Sequence, residues 1–169
     1  MRDSKVQRMV TAALFTGAAI LFGYVETLLP IPLPVPGMKL GLANIAILAV
    51  LYTQGSGMAV AVDIVRIVLN GLLFTGLYSF LFSLAGGAVS LLVMILLKRT
   101  GKFGMTGVSV AGAVSHQFGQ ILVAIPLLGS DAVAGLFPIL GAFAIGTGLV
   151  IGLTSAELIR HLSFNKEKV

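Results

Sequence analysis

From Met9 to Leu29 the chain is apolar with a single ionisable interruption, Glu26. A helix needs about 20 such residues to cross a bilayer. The run also exceeds the roughly 7–15-residue core of a secretory signal, although Arg2, Lys5 and Arg8 precede it, so it reads as a retained first span. Comparable runs continue almost to the end of the chain. With 57% of residues apolar and 10% charged, too few charges remain to clothe a water-solvated domain.

Breaking the chain at glycines, prolines and charged clusters gives six expected spans, at about 5–29, 38–54, 58–73, 78–98, 106–128 and 133–161, in one membrane domain covering 1–169. The fold class is an all-α integral membrane protein, a bundle of six transmembrane helices. Basic residues gather on the cytoplasmic side of membrane proteins. With both termini cytoplasmic, nine of the eleven Lys and Arg residues fall inside, the exceptions being Lys39 and Arg66. The net charge of +5 therefore reports topology, and nucleic acid is not an expected partner.

Between the first two spans lies Pro30-Ile31-Pro32-Leu33-Pro34-Val35-Pro36-Gly37. Alternating prolines favour an extended, stiff chain and cannot continue a helix. The segment reads either as a collar over the outer mouth of the bundle or as a plain connector.

Polar residues inside spans are costly and face the bundle interior or a water-filled cavity. Under the expected topology Glu26, Lys39, Asn44, Asn70 and Gln120 fall in the outer half, with His116 and Gln117 near the middle. Lys39, Asn44, Arg66, Asn70, His116, Gln117 and Gln120 are the candidate ligand-binding residues. Each has a blander reading as an interhelical hydrogen-bonding or packing group. Asp63 and Arg66, three residues apart on one helix, read as a structural ion pair, and Arg66 could also meet an anionic ligand. Glu157 and Arg160 read as surface pairing. Small residues let membrane helices approach closely. Ala13 and Gly17 on the first helix, Ala85-Gly86-Gly87-Ala88 on the fourth, and Gly141, Gly146, Gly148 and Gly152 on the last are the candidates. There is no cysteine, so thiolate chemistry and thiolate metal sites are excluded. Nothing calls for a cofactor or a metal.

Four blocks in order carry a family resemblance: Pro36-Gly37-Met38-Lys39-Leu40-Gly41-Leu42-Ala43-Asn44-Ile45, Arg66-Ile67-Val68-Leu69-Asn70-Gly71, Ser83-Leu84-Ala85-Gly86-Gly87, and Gly107 through Gln120 with Ser115-His116-Gln117. Over residues 8–160 the chain resembles the membrane family called heptaprenyl diphosphate synthase component I, or Gx transporter. That family is similar to the substrate-binding S components of energy-coupling factor transporters. The resemblance implies a subunit that captures a vitamin-like or isoprenoid- or quinone-related small molecule from outside, under the 30–37 loop. It also implies docking through Ala13 and Gly17 onto a transmembrane coupling protein with two ATPase subunits, in a setting of membrane lipid. The synthase name implies the alternative, an accessory membrane subunit of a prenyl diphosphate synthase. The chain is not expected to be the enzyme. Prenyl diphosphate synthases resemble one another in paired aspartate-rich motifs that hold magnesium, and the aspartates here are Asp3, Asp63 and Asp131, none adjacent to another. A Gly-x-x-x-x-Gly-Lys-Ser/Thr phosphate loop is also missing, so ATP-derived energy would have to come from a partner.

Overall fold

A computed structural model describes residues 2–29 and 38–164. The proline collar expected at 30–37 lies outside the described residues. The described chain is helical almost throughout: α1 Arg2–Leu28, α2 Asn44–Thr53, α3 Ser56–Asn70, α4 Gly76–Thr100, α5 Met105–Leu128 and α6 Phe137–Phe164. A π-helical turn, Gly71–Thr75, follows α3, and a 3-10 turn, Asp131–Leu136, precedes α6.

Four helical runs are long and apolar enough to cross a membrane, Lys5–Leu28, Ser56–Thr100, Met105–Leu128 and Asp131–His161. Their outer faces carry large exposed side chains such as Met9, Leu14, Leu72 and Leu77, as lipid-facing helices do. The expectation of six spans needs correction at two places. The segment expected to span 38–54 is helical only from Asn44, and ten residues of helix, about 15 Å, do not cross a bilayer alone. The third and fourth expected spans form one continuous helical stretch rather than two separated by a loop. That stretch nevertheless doubles back. In a straight helix Asp63 and Gly87 would lie about 36 Å apart, yet a Cβ at Gly87 would stand 3.0 Å from Asp63 Oδ2. The reversal falls at Gly76, whose φ of 73° and ψ of 179° leave the helical region in a conformation open to glycine. The π-turn just before it is closed by Thr75 Oγ1, which donates to Asn70 O at 3.2 Å.

α2 is the core of the bundle. Its sequence Asn44–Thr53 is apolar all round, the pattern of a helix with no solvent or lipid face, and Ile47, Leu48, Ala49, Val50 and Leu51 are fully buried. Phe15 and Ala19 of α1, Ala59 and Val62 of α3, Leu91 and Met94 of α4, Val108 of α5 and Ile151 of α6 close around it. At the end of the bundle that carries the termini, the α2–α3 turn is tied down by two basic residues. Arg8 Nη2 donates to Gln54 O at 3.4 Å, while the Lys98 ammonium donates to Leu51 O and sits 4.8 Å over the Tyr52 ring.

The small residues divide by use. Gly148 and Gly152 bring α6 against α5 so closely that a Cβ on either would stand 2.7 Å from Val110 Cα or Thr106 Cα. Gly119 does the same for α5 on α4, with the Ala85 carbonyl 2.6 Å from its Cβ position. Gly141 and Gly146, by contrast, have open space around them. So does Gly17, and Ala13 beside it is exposed; the α1 stripe packs against nothing within the described chain.

Candidate functional site

Inside the bundle the polar residues singled out in the sequence converge. Glu26 of α1, Lys39 before α2, Asn44 of α2, Asp63, Arg66 and Asn70 of α3, and His116, Gln117 and Gln120 of α5 are all buried. Gly23, Gly41, Gly86 and Gly87 make the room: added Cβ atoms there would collide respectively with the Asn70 amide, Asn44 Nδ2, the His116 ring and Asp63 Oδ2.

Much of this polarity serves the chain itself. Met38–Gly41 have no regular secondary structure, Gly41 with a φ of 91°, and Leu42–Ala43 form a turn, so the N–H groups of this largely buried segment lack helical partners. Irregular backbone at membrane depth is tolerated only when protein satisfies it. Here α1 and α5 do so. The Glu26 carboxylate accepts from Gly41 N at 2.8 Å and from Leu42 N at 3.3 Å. Gln120 Oε1 accepts from Lys39 N at 2.8 Å, and Lys39 O accepts from Gln120 Nε2 at 2.8 Å and Gln117 Nε2 at 3.0 Å. Gln120 Nε2 also reaches Gln117 Oε1 at 3.1 Å. Gln117 and Gln120 thus spend their hydrogen bonds on a backbone clamp, and Glu26, absent from the candidate ligand residues, completes it. A lone carboxylate within a span was the sequence signal for it.

Arg66 donates from Nε to Asp63 Oδ1 at 2.8 Å, with Nη2 2.7 Å from the same oxygen. The expected ion pair therefore exists, and it is buried. Glu157 and Arg160 pair at 3.0 Å on the exposed surface. A different group of polar atoms is buried with no protein partner: both ring nitrogens of His116 and both amide atoms of Asn70. Buried polar groups are ordinarily satisfied. Asn70 and His116 are therefore the part of the cluster with hydrogen-bonding capacity to spare. Two cations and two carboxylates, Lys39 and Arg66 with Glu26 and Asp63, make the cluster formally neutral. Among the described residues no group of three or more His, Cys, Asp or Glu could hold a metal ion.

The fold and this cluster define a helical membrane protein with a charge-balanced polar interior. Residues 15–158 match the family described as heptaprenyl diphosphate synthase component I, and the chain belongs to that family. Neither the curated proteins nor the solved structures contain a match.

Proposed function

We propose that the chain is the membrane-embedded, non-catalytic component of a prenyl diphosphate synthase system, holding an isoprenoid substrate or product while a separate subunit performs the condensation. The observation that carries this reading is the family match across most of a chain whose three aspartates are mutually isolated in sequence. The carboxylates that bind magnesium and diphosphate then belong to the partner. The test is reconstitution of the tagged chain in vesicles with the soluble prenyl synthase of the same source. Co-purification and a several-fold rise in turnover or a change in product chain length are expected. A partner that neither binds nor responds overturns the reading.

A second reading is favoured by the unpartnered atoms of Asn70 and His116: a substrate-binding subunit for uptake, similar to an S component. In it the single membrane domain of residues 1–169 crosses the bilayer six times with both termini cytoplasmic, α2 completing its crossing with the non-helical segment before it. Lys39, Asn44, Arg66, Asn70 and His116 contact the small molecule, Gln117 and Gln120 position Lys39, and exposed Ala13 and Gly17 meet a transmembrane coupling protein with two ATPase subunits. Mass spectrometry of small molecules released from the purified chain distinguishes it. A compound present with the unaltered chain and missing from Asn70→Leu/His116→Ala supports uptake, and its absence from both removes that reading.

A further inference from the structure

The late start of α2 has a further consequence where the segment before it meets α6. Ser155 Oγ of α6 donates to Ile45 O at 3.3 Å, so the first turn of α2 lies beside the second half of α6. The first half of α6 has no turn of α2 alongside it. In that gap is a groove of about 530 Å³, within the roughly 300–1,000 Å³ range of small-molecule sites. Leu42 and Ile45 form one wall and Phe143, Gly146, Val150 and Ile151 the other, and Thr147 supplies its one hydroxyl. Gly146 has nothing within 4 Å of its Cβ position, and Phe143 and Val150 are each 62% exposed. The groove therefore opens laterally, on an apolar face of a membrane helix.

We propose that this groove seats the hydrocarbon chain of a linear isoprenoid diphosphate, an inference that rests on the synthase reading above. Its lining is suited to a hydrocarbon and offers no array of polar partners to a soluble peptide. Leu42 joins it to the polar cluster: the side chain lines the groove, while the backbone N–H is held by Glu26. Lys39 stands three residues before it, a cation of the type that recognises a diphosphate. The ligand that fits both halves has an apolar chain and an anionic head, and the family description supplies the isoprenoid class.

The experiment uses the full chain in phosphatidylcholine nanodiscs and a diazirine-bearing farnesyl diphosphate analogue as the photoprobe. Labelled peptides should map to residues 42–45 and 142–151. Unlabelled farnesyl diphosphate should compete, and lysophosphatidic acid, with an unbranched chain, should not. Gly146→Leu, which fills open space without touching the core, should displace at least two methylenes of the ligand and weaken labelling about ten-fold with thermal unfolding unchanged. Equal competition by the acyl lipid, label spread over α1 and α4, unaltered labelling of Gly146→Leu, or cross-linking of two copies through Phe143 and Val150 would each overturn the proposal. Co-purification of the soluble synthase is followed in the same samples. If it binds while the groove stays unlabelled, only the groove assignment falls; if it never binds, the synthase reading falls as well.

Discussion

Replacing Gln120 by leucine removes both halves of the clamp that α5 places on Lys39 while keeping the volume and the apolar stem. Lys39 O retains Gln117 as a donor, but Lys39 N loses its acceptor and Gln117 Oε1 loses its donor. Orphaning a buried polar group costs about 1–3 kcal/mol. Side-chain hydrogen bonds between membrane helices average nearer about 0.6 kcal/mol, because the unfolded chain in the membrane also finds partners. The backbone N–H of Lys39 has no such ready substitute in the folded state, since the segment belongs to no helix, whereas the Gln117 side chain can rotate. One fully orphaned group and one partly relieved one give an expected loss of about 2–4 kcal/mol. Reversible unfolding in mixed micelles, followed by circular dichroism, reads this directly. Gln117→Leu added to Gln120→Leu should cost less than the sum of the two single changes, because the second removes an acceptor the first had orphaned. A loss below about 0.5 kcal/mol, the range of ordinary surface substitutions, would refute the view that α5 holds this segment in place.

Two further outcomes follow from the same geometry. Asp63→Ala should destabilise by about 3–5 kcal/mol, because it leaves the Arg66 guanidinium buried and unpaired, and adding Arg66→Met should recover much of that loss; unfolding of the two variants side by side checks it. Gly86→Ala places a Cβ 2.8 Å from His116 Cε1 and 3.0 Å from Gln120 Cγ, an overpacking expected to cost about 1–3 kcal/mol. Gly57→Ala, on α3 with nothing within 4 Å, should instead stabilise by about 0.5–1 kcal/mol through helix propensity, so the two changes should shift the unfolding midpoint in opposite directions.

The helices at either end of the chain and α5 were readable from apolar length alone, and α5 begins and ends within a residue of its expected limits. The polar residues were readable because an ionisable or amide side chain stands out in an apolar run. Which atoms those residues would engage was not. Hydropathy registers that 38–54 is apolar, yet it cannot separate a buried helix from buried irregular chain, so the late start of α2 at Asn44 leaves no mark on it. The acceptors of Gln117 and Gln120 lie 78 and 81 residues away and are backbone atoms, which leave no mark on side-chain spacing. Glu26 was noticed as polar but could not be assigned, since its partners are also main-chain groups.

The separation between Lys39 and Gln120 also has a meaning in time. Chains are synthesised at about 5–20 residues per second, so Gln120 leaves the ribosome about 4–16 s after Lys39 has been made. Throughout that interval the groups that will satisfy Lys39 do not exist, and only Glu26 on α1 is available to the neighbouring amides of Gly41 and Leu42. The approach to the buried core helix is consequently completed only after α5 has been synthesised. That approach is settled by a helix that enters the membrane long after it, which makes α5 a late-arriving fastener for a segment translated early.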